Sequence, residues 1–270
     1  MRAEREMRRQ KRRKRRIRAV AVLVALALCL LMTIRTFGMW KNAAELGGPE
    51  GNPSGISAIG RDQKLPLNVP FLDQRGDWPT GCESVSAVMV LQYFDVTVTV
   101  EEFVDGYLPL GTAPHENGEG RIVGCDPRLA FPGDPRTEGG WGCYAPVIES
   151  SLKRFLEERP DMRRLSVEAP KGNSLPELCE EYVRQGIPVL VWATINMEPP
   201  QMEDSFFLEE TGEEFQWIYP MHCLVLTGWD DTGYTFNDPM AGKETHYLKK
   251  ETEEAYEALG RQAVALVPMD

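Results

Sequence analysis

Apolar positions along this chain change their spacing three times, and each change marks a different physical object. Ala19 to Ile34 is one unbroken run of 16 residues without a charged side chain. Ile17 before it, with Thr36, Phe37 and Trp40 behind it, extends the run toward the roughly 20 residues that cross a bilayer. Arg18 and Arg35 can snorkel to the headgroups on either side. A transmembrane helix is therefore predicted over 19–36. From Lys41 to about Gln63 large apolar residues nearly vanish, and Gly-Gly-Pro-Glu-Gly-Asn-Pro-Ser-Gly dominates. That composition predicts a flexible stalk over 37–64. Period-2 and period-3.6 patterns begin near Leu65, so a folded domain is expected over 65–270.

Within the domain, Leu67–Leu72 alternates as a short strand does. A helix follows, with Thr80 as its N-cap and Glu83 three residues on, the pattern of a capping box. It runs through Val85, Val88, Met89, Leu91 and Phe94. Ser84, Ser86 and Ala87 give it small residues on several sides, which predicts a central, buried helix. Val100–Tyr107 reads as a second helix opening after Thr99. Residues 108–143 are rich in Gly, Pro and charge and predict a long loop, of the kind that is often functional. Tyr144–Glu158 and Leu175–Gln185 are amphipathic helical patterns, the second stopped by Gly186. Ile187–Ile195 is a β-branched run suited to an inner strand, and 196–219 is irregular and acidic. His222–Trp229 and Tyr234–Asn237 are strands joined by the turn Asp230–Gly233, and Ala263–Pro268 supplies a last strand. Helices come first and antiparallel strands second, which predicts an α+β fold.

Charge sharpens this division. Residues 1–41 hold 13 Lys/Arg against Glu4 and Glu6, whereas the remaining 229 hold 17 basic and 39 acidic side chains. The basic run from Arg8 to Arg18 abuts the apolar segment, so 1–18 is expected to stay in the cytoplasm and the domain to lie outside the cell membrane. Cleavage of the segment would release a secreted form. No clean Ala-x-Ala site follows the apolar core, which favours an uncleaved anchor. The acidic domain disfavours binding to nucleic acid.

Five cysteines lie beyond the apolar segment, an odd count that leaves at least one free thiol in an exported domain. Cys82 falls in the opening turn of its helix, where free N–H groups and the macrodipole favour an anion and should lower a thiol pKa. Buried as a small hydrophobe, the same residue would be inert. His222 opens an apolar strand at an edge where its ring can face a cleft and accept a thiol proton; a satisfied core histidine is the alternative. Asp238 lies 16 residues on, one hairpin later. It can hold the second ring nitrogen, or simply form the turn that Asn237-Asp-Pro239 also spells. Gln74, eight residues before Cys82, can offer a side-chain N–H to an oxyanion, with the Cys82 backbone N–H as second donor. Gln, then Cys at a helix start, then His on a strand, then Asp after a hairpin is the order of a papain-type thiol site.

The stretch Val69-Pro-Phe-Leu-Asp-Gln74, followed by Pro79-Thr-Gly-Cys82-Glu-Ser-Val-Ser-Ala-Val-Met-Val-Leu91, resembles cysteine peptidase family 39. These are the bacteriocin-leader (double-glycine) peptidases and, more narrowly, their stand-alone relatives. Gly124-Cys-Asp-Pro, Phe131-Pro-Gly-Asp-Pro135 and Gly142-Cys-Tyr-Ala-Pro-Val-Ile148 fit the same branch, as do His222-Cys-Leu-Val-Leu-Thr-Gly-Trp-Asp230 and Asn237-Asp-Pro239. The resemblance spans about residues 65–268. It implies a papain-like fold of N-terminal helices on an antiparallel sheet, with a peptide or protein as substrate. It also implies Cys82 as nucleophile, His222 as base, Asp238 as orienting carboxylate and Gln74 in the oxyanion hole. The same thiol site could transfer an acyl group to another acceptor, and a scaffold that only binds peptide is the non-enzymatic alternative.

The remaining signals are weaker. Cys125 and Cys143 flank the long loop and either pair across it or stay as thiols. Cys179 and Cys223 fall on core faces. His115 and His246 lack ligand spacing, so no zinc, and no cofactor, is expected. Trp141, Trp192, Trp217 and Trp229 either line a peptide groove or fill the core.

Overall fold

The computed structural model describes residues 65–159, 164–202 and 204–269. The basic segment, the predicted membrane helix and the stalk lie outside the described residues. Among those described, no helix is long and apolar enough to cross a membrane.

Five α-helices stand among the described residues: α1 (Cys82–Tyr93), α2 (Val100–Tyr107), α3 (Ala145–Glu157), α4 (Leu175–Glu181) and α5 (Lys249–Ala258). The first strands are short: β1 (Leu110–Gly111), β2 (His115–Glu116), β3 (Ile122–Gly124) and β4 (Phe131–Pro132). They are followed by β5 (Leu165–Glu168), β6 (Val189–Thr194), β7 (Ser205–Leu208), β8 (Glu214–Gln216), β9 (Met221–Trp229), β10 (Gly233–Asp238), β11 (Gly242–Leu248) and β12 (Ala263–Pro268). The main sheet has six strands in the order β11-β10-β9-β6-β12-β5, every neighbouring pair antiparallel. The α+β class expected from the element order is the observed one.

All six residues of β6 and the first eight of β9 are buried. Strands covered on both faces need apolar side chains on both, so these two read as continuous runs without alternation. Helix α1 packs on β9 and β6, and α5 packs on β6, β10 and β11. Every residue of α1 from Cys82 to Leu91 is buried, as its small side chains require. Ser86 fixes its position, its hydroxyl donating to the Cys223 carbonyl on β9 at 3.1 Å.

Several local expectations are corrected. Leu67–Leu72 is not a strand, although Leu67 and Val69 are buried in the expected alternation. Pro66 and Pro70 lack the N–H groups a ladder needs. The segment is held instead by Leu67 N–H on the Thr227 carbonyl at 2.8 Å and by the Asn237 amide on the Val69 and Pro70 carbonyls at 3.0 and 3.2 Å. The N-cap of α1 is Gly81 rather than Thr80, with no side-chain cap, because Glu83 turns inward. Capping boxes occur at Thr99/Glu102 and Ser174/Glu177. The long loop and the irregular acidic stretch are not structureless. Together they build a four-stranded sheet, β2-β3-β7-β8, in which β3 pairs with β7 in parallel. Strand β11 and helix α5 occupy a polar stretch where no element was expected.

Candidate active site

Cys82 is the first residue of α1 and His222 the second of β9, and both line a cleft of about 370 Å³. The Ser86–Cys223 hydrogen bond couples these two elements one turn below the cleft. The sulfur of Cys82 accepts the N–H of Cys223, the residue after His222, at 3.4 Å. Gln74 and Glu83 line the same cleft, with Trp141 and Trp217 among its walls.

The β9–β10 hairpin brings His222 and Asp238 together. The Nε2 of His222 lies 2.9 Å from Oδ1 of Asp238, and each residue is 1% exposed. Asp238 is surrounded by donors: Oδ1 also accepts the N–H groups of Met240 and Ala241 at 2.8 and 3.1 Å, and Oδ2 accepts the Tyr247 hydroxyl at 2.6 Å. Burial works to raise this carboxyl's pKa, but the imidazole, the phenol and the turn N–H groups outweigh it and hold it well below the usual range. Burial and the neighbouring carboxylate push the Tyr247 phenol up in turn. An ionised Asp238 makes Nε2 the protonated ring nitrogen and leaves Nδ1 as the acceptor. Among the described residues Nδ1 has no hydrogen-bond partner. Asp238 therefore fills both roles open to it, at once the turn residue and the partner of the imidazole. Tyr247, on a strand the sequence did not reveal, is the supporting group that was missed.

The thiol does not behave as its place on the helix predicts. Burial and the charge of Glu83 push its pKa well up rather than down. Its S–H donates to Oε2 of Glu83 at 3.3 Å, and no hydrogen bond joins it to the His222 ring. Glu83, fully buried, accepts the Cys143 N–H on Oε1 at 2.6 Å. Burial pushes this carboxyl's pKa up as well.

Gln74 is brought to the cleft by its backbone N–H on the Pro239 carbonyl at 3.0 Å, one residue past Asp238. Its Nε2 donates to the carbonyls of Pro79 at 3.1 Å and, more weakly, Trp78 at 3.4 Å, while Oε1 is buried without a partner. The side chain thus braces the turn that leads into Cys82.

Cys125 and Cys143 are free, buried thiols, as are Cys179 and Cys223. Trp192 is a core residue whose indole N–H donates to the Cys143 carbonyl at 2.8 Å. Trp141 and Trp217 meet edge to face at the cleft wall, with ring centroids 5.4 Å apart. The four-stranded sheet supports this wall, since Phe206 on β7 packs against Trp141. His115 and His246 lie at the surface, away from the cleft. Among the described residues no group of three or more His, Cys, Asp or Glu side chains is arranged to hold a metal ion.

The model of the Peptidase C39-like family matches residues 66–264. YvpB of Bacillus subtilis is 28% identical over 204 residues, covering 74% of this chain and 75% of YvpB. The crystal structure of a C39-like peptidase from Bacillus anthracis superposes with a TM-score of 0.66 at 24% identity, covering 77% of this chain and all of that one. The peptidase domain of Streptococcus ComA gives a TM-score of 0.42 at 12% identity over 75% of this chain.

Proposed function

Because the chain belongs to the Peptidase C39-like family, we propose that it is a cysteine peptidase acting through Cys82, His222, Asp238 and Gln74. The observation that carries this is the buried His222, with Nε2 fixed on Asp238 at 2.9 Å and Nδ1 left free in the cleft that Cys82 lines. Nδ1 takes the thiol proton, and the sulfur attacks the carbonyl carbon of a bound peptide. The resulting oxyanion is held by the Cys82 backbone N–H and by Gln74, whose Nε2 can turn an N–H away from its long 3.4 Å contact with the Trp78 carbonyl. The imidazolium gives its proton to the leaving amine, and a thioester remains on Cys82. Water, deprotonated by Nδ1, then cleaves the thioester and frees the acid.

The substrate is a peptide or protein segment lying against Trp141 and Trp217. The acidic side chains lining the cleft are Glu83 and Glu138, with no lysine or arginine. Basic or neutral peptides suit that lining better than acidic ones. The apolar run at 19–34 and the basic run before it support a domain tethered outside the cytoplasmic membrane. A peptide-library digest with full-length protein tests the activity, with mass spectrometry of the products. Cleavage by the wild type and none by Cys82→Ala or His222→Ala is expected. Products carrying an added amine acceptor would mark a transferase. No turnover under any condition would leave a peptide-binding module.

A further inference from the structure

Glu83 is a buried carboxylate in contact with the sulfur of Cys82, and thiol–imidazole chemistry has no use for it. Capping does not explain it, because the N-cap of α1 is Gly81 and no side chain caps the helix. Both of its oxygens are committed inward, Oε1 to the Cys143 N–H at 2.6 Å and Oε2 to the Cys82 thiol at 3.3 Å.

Positions 82 and 83 compete for one place that favours an anion. The first-turn N–H groups and the dipole of α1 stabilise a single negative charge. Glu83 has the additional N–H of Cys143, so of the two groups it is the one that better holds a charge, even though burial raises its pKa. A second charge on sulfur, 3.3 Å away and out of solvent, is strongly opposed. The other titratable groups facing the pair are the thiols of Cys143 and Cys223, the His222 imidazole backed by Asp238, and Glu138 across the cleft. No lysine or arginine is among them to offset the carboxylate.

Resting on Cys82 as the nucleophile, we propose that Glu83 is a positioning residue that keeps the free protein's thiol protonated, with its S–H directed at Oε2 and away from His222. No bond is made or broken in this contact. The thiol becomes reactive when it turns to His222, where its proton passes to Nδ1 and leaves thiolate beside imidazolium. Binding of peptide in the cleft supplies the occasion for that turn, so the thiol is restrained until substrate is present. Burial drives both the thiol and the carboxyl upward, and the contact between them raises the thiol further while it works to lower the carboxyl, which leaves the proton on sulfur.

Glu83→Gln separates charge from shape: the amide oxygen still accepts from Cys143, and its NH₂ now faces the sulfur. The experiment is iodoacetamide alkylation of the full-length protein from about pH 6 to about pH 10, with Cys82 followed by peptide-resolved mass spectrometry. Relative to wild type, Glu83→Gln should alkylate about tenfold faster or more at neutral pH, with its rate profile displaced to lower pH by about one unit or more. An unchanged rate and an unchanged midpoint in a variant with normal circular dichroism would overturn the proposal. Should Glu83→Gln fail to fold, Glu83→Asp withdraws the carboxylate by one methylene; faster alkylation supports the restraint and an unchanged rate refutes it. Faster alkylation in a protein that cleaves no peptide would sink the peptidase function and leave the restraint standing.

Discussion

The hydroxyl of Ser86 donates to the carbonyl of Cys223 at 3.1 Å, joining the helix that begins with Cys82 to the strand that carries His222. Both groups are buried, so water cannot replace either partner. Ser86→Ala removes the tie without adding bulk, and about 1 kcal/mol of stability should go with it. Urea unfolding measures that loss. Slight separation of the two elements should also lower kcat more than it raises KM, because near-attack geometry is sensitive to small displacements.

Removing the carboxylate behind the imidazole should be far more damaging. Asp238→Asn cannot hold Nε2 protonated in the same way, and kcat/KM is expected to fall by roughly 10²- to 10⁴-fold. Tyr247→Phe removes one of four donors to that carboxylate and should reduce the rate by about fivefold, near 1 kcal/mol. Gln74→Ala removes the proposed oxyanion donor and should lower kcat by about 10²- to 10³-fold with KM little changed. Equal losses in kcat and in folding stability for Gln74→Ala would instead mark it as a brace for the 74–79 turn.

Two buried carboxyls pull the pH dependence of stability in opposite directions. The folded pKa of Asp238 is depressed, so its contribution is complete above about pH 4 and is lost only as pH falls through the folded value. The folded pKa of Glu83 is raised, so the native state holds that proton more tightly than the unfolded chain. Stability is therefore lost as pH rises from about 4 through the folded value. Glu83→Gln should melt above wild type at neutral pH, with the difference closing toward about pH 4. A variant that melts lower than wild type at neutral pH would contradict this.

Much of the frame was legible in the sequence because burial on both faces leaves strong marks. The continuous runs at 187–195 and 222–229 and the small-residue helix at 82–91 could hardly be anything but interior. The adjacency of residues 222 and 238 followed from a hairpin of known length. Other features were hidden for physical reasons. Glu83 obeys the spacing of a capping box, and only the approach of Cys143 shows that its carboxylate faces inward. Tyr247 sits in a strand with mostly polar, exposed neighbours, which erases the period-2 signal. The four-stranded sheet is made of strands two to four residues long, too short to register as runs, and its β3–β7 pairing is between segments more than 80 residues apart. The thiol's pKa moved opposite to expectation because burial, and after it the charge of Glu83, outweigh what a helix N-terminus offers an anion.

Charge in the cleft makes a further forecast about substrates. Beyond the cleft, Glu138, Trp141, Trp217 and Tyr219 continue into a second hollow that also includes Asp204 and no basic residue. In a set of otherwise identical peptides, those with Lys or Arg beside the cut bond should show a kcat/KM several-fold higher than those with Glu, about 1 kcal/mol at low salt. Glu138→Gln with Asp204→Asn should erase most of the difference, and added salt should shrink it.

The proposed thioester on Cys82 is the species on which the whole mechanism turns. Full-length protein mixed with a peptide it cleaves, quenched in acid within the first turnovers and digested, should yield the Cys82 fragment heavier by the acyl half of that peptide. The adduct should be absent from His222→Ala and should disappear as hydrolysis completes. Cleavage that persists in Cys82→Ala, or an acyl group found on any other residue, would contradict the account.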